Sequence, residues 1–201
     1  MTRKTVVLCE GVHDLALLSS LLQRKGRSCW QKKWDDIQKY SRNTPEATVI
    51  SEFKSRRGTG VSFLLKQDQN VTCCIESFWQ LYMTGYEGYD LKLVIDSDGD
   101  RSIRALRDNM IETLRKDVLL KDEEKENIFY FKGGGSERTH AVFLYPKVDS
   151  QRTGKLTDII REAGCGNLEG NRDEEARQRI ITQYLDTQPS WITDLEAFLE
   201  I

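Results

Sequence analysis

The stretch that most constrains this chain is Leu91 to Arg101, LKLVIDSDGDR. Leu93, Val94 and Ile95 are apolar without alternation, as in a strand buried on both faces of a parallel sheet. Three carboxylates follow at alternate positions, Asp96, Asp98 and Asp100. If the chain stays extended past Ile95, its period of two puts Asp96 and Asp98 on one side of the strand end. Gly99 permits a sharp turn there. Ile103, Leu106, Met110, Leu114 and Val118 then recur at helical spacing, so the acids lie between a strand and the helix after it. Open α/β sheets bind their ligands at that position.

Carboxylates this close repel one another, and without a cation at least one is pushed toward protonation. Oxygen-only ligands, with no His or Cys among them, favour Mg²⁺ or Mn²⁺ over zinc. A plain alternative is a solvated turn in which Asp100 or Ser102 caps the next helix. An EF-hand loop shares the D-x-D-x-D opening but requires Gly and Glu where this chain has Arg101 and Arg107. A phosphatase of the haloacid-dehalogenase type, using Asp96 as nucleophile, also begins with an apolar strand and D-x-D-G. In those enzymes the motif opens the fold, whereas about ninety residues precede it here.

A second strand with an acid at its end lies near the start. Thr5 to Cys9, TVVLC, reads as a buried strand running into Glu10-Gly11. Leu15, Leu18 and Leu22, with Leu17 and Leu21 alongside, then form an amphipathic helix that stops near Gly26. Asp14 is either an N-cap or a direct ligand. His13, inside the Glu10 loop, is a plain loop histidine or a group that binds phosphate oxygen or relays a proton. Glu10 stands before Gly with no capping duty. If the two strands are neighbours, Glu10, Asp96 and Asp98 gather into one acidic cluster.

The pair V-L-C-E-G-V-H-D and V-I-D-S-D-G-D resembles the Toprim fold of topoisomerases, bacterial-type primases, OLD-type nucleases and small stand-alone Toprim proteins. The resemblance runs from about Thr5 to Ala163. It implies that Asp96 and Asp98 hold metal, with Asp100 helping, and that Glu10 shares a metal or acts as general acid/base, supported by Gly11, His13 and Asp14. The activity it implies is Mg²⁺- or Mn²⁺-dependent phosphodiester chemistry on DNA or RNA, foremost a nuclease. A non-catalytic module that binds metal, nucleotide or nucleic acid in a regulatory role is the competing class. No primase zinc module is recognisable, nor a topoisomerase tyrosine domain.

Charge is uneven. Arg24 to Arg57 holds ten basic and four acidic residues, about +6 against about −8 for the remainder, within a net charge of −2. A basic segment beside an acidic metal site suits a phosphate backbone. Within it, Lys54 to Gly60 reads as a mobile basic loop, with Lys54, Arg56 and Arg57 as nucleic-acid contacts. Ser28 to Tyr40 is expected to be a helix from the spacing of Trp30, Trp34 and Ile37.

Further on, Val61–Leu65, Ile128–Phe131 and Thr139–Tyr145 read as strands, the last at an edge because Pro146 follows. Helices are expected over Thr72–Tyr86, from Leu156, over Glu174–Leu185 and over Trp191–Ile201. Glu137, Arg138 and His140 read as surface residues. The expected architecture is one α/β domain, Toprim-like and Rossmann-like, with a mainly parallel sheet and helices on both faces. It would span residues 1–165 with a basic insertion at about 26–60, and residues 166–201 would form a C-terminal helical extension packed on it. No apolar run is long enough for a membrane span. The five cysteines form no C-x-x-C pair, and the N-terminus lacks a signal-peptide cleavage site. A cytoplasmic protein with reduced thiols is therefore expected. Whether a second copy or a partner chain completes the site stays open.

Overall fold

The computed structural model describes residues 4–31, 49–55, 62–68, 70–83, 89–97, 119–120, 127–132, 139–147 and 154–201. The apolar run of β1 (Lys4–Cys9) forms the middle of the sheet, hydrogen-bonded in parallel to β4 (Ser62–Gln67) on one side and β5 (Tyr89–Ile95) on the other. β8 (Thr139–Leu144) continues the parallel set beyond β5. Antiparallel arms flank these four strands. β3 (Val49–Ser55) and β2 (Arg27–Gln31) lie outside β4, and β7 (Ile128–Lys132) and β6 (Leu119–Leu120) lie outside β8. The order is β2-β3-β4-β1-β5-β8-β7-β6.

Both faces of β1 and β5 are covered, so their alternating side chains enter two separate cores. Val7 and Cys9 join Val94, Phe63, Leu65 and Phe143 in one core, whereas Val6 and Leu8 join Leu91, Leu93, Ile95, Val142 and Leu144 in the other. Each core is covered by helices whose apolar stripes fit it. α1 (Val12–Arg24) lays Leu17, Leu18, Leu21 and Leu22 on the first face, and α2 (Val71–Met83) lays Cys74, Phe78 and Leu81 on the second. Gly26, at φ 74°, takes the left-handed conformation that ends α1. The first face is completed by α3 (Leu156–Glu162), α4 (Glu174–Asp186) and α5 (Ser190–Leu199). This is the α/β, Rossmann-like arrangement with a C-terminal helical part that the sequence predicts.

Several local expectations are corrected. Residues 28–31 are strand, not helix: Cys29 pairs with Phe53 and Ser28 with Lys54 across the β2–β3 ladder. Trp34 and Ile37, which supplied the helical period, lie outside the described residues. Lys54 sits in β3 rather than a loop, with its ammonium 3.1 Å from Glu52. Arg56 and Arg57 lie outside the described residues, as do the 103–118 helix and Glu137 and Arg138. β8 is interior, between β5 and β7; Pro146 comes after its last paired residue, so the missing N–H interrupts no ladder. His140 is buried rather than superficial, its Nδ1 accepting from the Leu91 amide at 3.2 Å, with Phe78 and Tyr82 edge-on. All five cysteines are free thiols. No helix among the described residues is long and apolar enough to cross a membrane.

Candidate acidic site at the parallel strand ends

The parallel registers bring the carboxyl ends of β4, β1, β5 and β8 to one rim. Cys9 is level with Gln67 on one side and Val94 on the other, so Asp68 emerges level with Glu10 and Asp96 one residue beyond it. The backbone locks this order beyond the ladders. The Asp68 amide donates to the Cys9 carbonyl at 2.8 Å, and the Tyr145 amide to the Ile95 carbonyl at 3.1 Å. Glu10 and Asp96 then meet directly: the Asp96 amide donates to Glu10 Oε1 at 3.1 Å. Asp96 Oδ1 in turn accepts from the Leu156 amide at 3.3 Å, which places that carboxylate at the first turn of α3.

The loop before α3 closes tightly over Ser97. The Ser97 amide donates to the Gly154 carbonyl at 3.3 Å. A Cβ on Gly154 would overlap the Ser97 hydroxyl and lie 2.8 Å from Ser97 Cβ and 2.9 Å from the Tyr145 carbonyl oxygen, so only glycine permits this approach.

On the β1 side, Gly11 is the N-cap of α1, and Asp14, three residues on, accepts from the Gly11 amide at 2.8 Å. Asp14 is therefore the returning half of a helix-start bond rather than the cap itself. It is also buried. Burial is the main force raising its carboxyl to about 6, reinforced by the Glu10 charge and opposed by the Tyr145 hydroxyl and the Gly11 amide. The Tyr145 hydroxyl is near enough to act on Asp14 but falls short of hydrogen-bond geometry. Burial, followed by the Asp14 and Asp96 charges, keeps that phenol protonated. Burial, followed by the charges of Asp14, Asp68 and Glu10, holds the Cys9 and Cys74 thiols well above their ordinary values, so neither is a thiolate nucleophile.

Asp68 is the acid that sequence reasoning missed. Ending the strand at Leu65 left it in a loop; the ladder runs to Gln67, which makes Asp68 a strand-end acid like Glu10. Its Oδ1 is 2.5 Å from the Lys66 ammonium, which also donates to Ser77 Oγ at 2.7 Å. Burial pushes the Asp68 carboxyl up, against the pull of Lys66. Its other oxygen, Oδ2, is shut from solvent with no hydrogen-bond partner among the described residues, as are Ser97 Oγ, the Tyr145 hydroxyl and His13 Nδ1. Such orphaned polar atoms are costly. They cluster around the same strand ends, and that is the feature that best fits a polar ligand here.

Of the predicted residues, Glu10, Gly11, His13, Asp14 and Asp96 are thus brought to one rim, and Lys54 is on the β2–β3 arm. Asp98 and Asp100 lie outside the described residues. Among the described residues no group of three or more His, Cys, Asp or Glu is placed to hold a metal ion. Glu10 and Asp96 are the two carboxylates that the described residues bring into direct contact there. The donor chemistry fits a hard ion.

No protein-family model matches the chain, and no curated protein matches it. A crystal structure of a hypothetical protein from Pyrococcus horikoshii OT3 is similar in fold, with a TM-score of 0.52 at 13% identity, over 82% of this chain and 67% of that one. At that identity the likeness speaks for the fold alone.

Proposed function

We propose that the chain is a Toprim-type protein that carries out divalent-metal-dependent phosphodiester hydrolysis on nucleic acid, with Glu10, Asp96, Asp98 and Asp100 as its acidic centre. The reading rests on one contact, the Glu10 carboxylate at the Asp96 amide, which joins two acids 86 residues apart at adjacent parallel strand ends. Chance placement of two solvated turns would not need the residues between them to build a sheet around that meeting.

In this reading Asp96, Asp98 and Asp100 hold Mg²⁺ or Mn²⁺, and Glu10 either shares it or moves the proton of the attacking water. When bound, the ion supplies polarisation of the phosphate and a water of lowered pKa. The chain's own residues do the rest. The Leu156 amide fixes the Asp96 carboxylate, and the Gly154 loop fixes the Asp96-Ser97 backbone. The protonated Tyr145 hydroxyl acts on Asp14 from within the core.

The test is cleavage of single- and double-stranded DNA and RNA with Mg²⁺ or Mn²⁺, by the wild type beside Glu10→Gln and Asp96→Asn. The expectation is metal-dependent cutting lost by about a hundredfold or more in each variant. Wild type that cuts nothing, or variants that cut equally well, would end the nuclease reading. The non-catalytic reading, a module that binds metal, nucleotide or nucleic acid, is favoured by one observation: both Glu10 and Asp96 already accept a backbone N–H. Metal-dependent binding without turnover would support it.

A further inference from the structure

The last helices do more than cover the sheet. α4 runs beside α1 in the same direction: Gln178 Nε2 donates to Ser20 Oγ at 2.7 Å, and one turn further along both helices Arg24 donates to the Thr182 carbonyl at 2.9 Å and to Asp186 at 2.6 Å. Carried back toward their starts, the same alignment brings Ala16 level with Glu174, and the Gly11–Asp14 end of α1, the rim that holds Glu10, level with residues 169–172 of the loop before α4. Arg177 is the cation there. Its Nη1 donates to the Asn171 carbonyl at 3.0 Å, which anchors the guanidinium against the loop before α4. Its Nε is buried with no partner, and among the described residues it has no carboxylate. This is unusual in a surface otherwise rich in ion pairs, since a half-buried arginine is ordinarily held by an acid.

Its neighbour on α1 is His13, whose Nδ1 is likewise buried and unpartnered. Burial, and after it the Arg177 charge, lower the His13 pKa, so the guanidinium is near enough for the imidazole to feel it. A guanidinium and an imidazole, each with a buried ring or guanidine nitrogen that no described group satisfies, are matched to an oxyanion.

We propose that Arg177 and His13 form a phosphate-binding subsite beside the acidic strand ends, with the guanidinium contributed by the C-terminal helical part. The ligand class is a phosphate oxyanion, either a backbone phosphate of a nucleic acid or the phosphate tail of a nucleotide. The proposal deepens the phosphodiesterase reading, because it gives the site the positive group that Lys54, turned into the β2–β3 arm, does not supply there.

The experiment measures equilibrium binding of a fluorescent single-stranded DNA, its RNA counterpart and a nucleoside triphosphate to the full chain. Binding is read with Ca²⁺ in place of Mg²⁺, across a range of salt, for wild type, Arg177→Ala, Arg177→Lys and His13→Gln. The expected result is about tenfold weaker binding for Arg177→Ala, with the salt slope on the polynucleotide reduced by about one. Arg177→Lys should recover part of the affinity, and a matching thermal transition confirms that each variant folds. Loss confined to the polynucleotides identifies a backbone phosphate; loss shared with the triphosphate identifies a terminal phosphate.

Unchanged affinity and slope in Arg177→Ala, or a wild type that binds no probe, overturns the subsite. Should Arg177→Ala not fold, Arg177→Lys and His13→Gln carry the test, and wild-type affinity in both overturns it. The readout separates this inference from the nuclease reading. Binding lost in Arg177→Ala by a wild type that never cuts keeps the subsite and ends the nuclease. Cutting and binding untouched by Arg177→Ala do the reverse.

Discussion

Asp14 has two roles that pull in opposite directions. Its carboxylate closes the start of α1 through the Gly11 amide, yet the site is buried beside the Glu10 charge, which raises its pKa from 3.8 to about 6. A carboxyl whose folded pKa is raised favours the fold fully at pH below its unfolded value. That contribution is lost as pH climbs from about 4 through about 6. The full swing is on the order of 3 kcal/mol. Asp14→Asn keeps an oxygen for the Gly11 amide and removes the charge. Urea unfolding in EDTA should therefore show the variant more stable than wild type by about 1–3 kcal/mol at pH 7.5 and nearly equal at pH 4. A variant less stable at both would mean that the charged bond to Gly11 outweighs burial.

Elements differ in how plainly the sequence announces them, and burial decides it. β1 and β5 are legible because both faces are covered, so each ends in an unbroken apolar run, Val6–Cys9 and Leu93–Ile95. α1 and α2 are legible because one stripe of each meets the sheet. The β2–β3 arm is not legible: its residues, Arg27–Gln31 and Val49–Ser55, mix charge with apolar groups because the arm lies at the margin of the sheet. Three bulky residues at helical spacing are then too few to decide between periods. β8 was misplaced for a different reason, since Pro146 marks the end of a ladder and not an open side. The candidate site follows the same logic. Glu10 and Asp96 stand out because each closes an apolar run. Asp68 follows Lys66 and Gln67, and Lys66 is buried only because Asp68 and Ser77 satisfy it. Arg177 has no local signal, as its place is set by α4 lying along α1.

α5 shows how one buried charge can fix an element. Lys92, in the middle of β5, is 3% exposed, donates to the Phe198 carbonyl, lies 3.1 Å from Glu200 and sits 5.3 Å from the centre of the Phe198 ring. The ammonium therefore occupies the carbonyl end of α5, where the helix dipole favours a cation. Lys92→Met keeps the length of the side chain and removes the charge. It should cost about 1–2 kcal/mol in urea unfolding, with Glu200 released to water rather than stranded. It should also raise proteolytic cleavage within residues 190–201 before global unfolding. A variant as stable and as resistant as wild type would show that apolar packing alone seats α5.

At the scale of the molecule, the two faces of the sheet are not equally self-sufficient. The first face gathers side chains from α1, α3, α4 and α5 into one core, in which Ile192, Leu195, Phe198 and Leu199 are all at most 7% exposed. Phe143 and Tyr145 of the β8 end pack against Trp191, and Phe143 packs against Phe198, so α5 touches the strand that borders the candidate site. Each buried residue of that size contributes about 1.5–3 kcal/mol, and four together contribute about 6–12 kcal/mol. A whole domain is stable by only about 5–15 kcal/mol. A chain ending at Pro189 should accordingly lose its cooperative unfolding transition and its near-ultraviolet circular dichroism, and expose apolar surface to a dye, while retaining part of its far-ultraviolet signal. If the shortened chain instead unfolds cooperatively at nearly the wild-type urea midpoint, α5 is an accessory. The first face would then close over α1, α3 and α4 alone, and Lys92 would tolerate burial without its helix end.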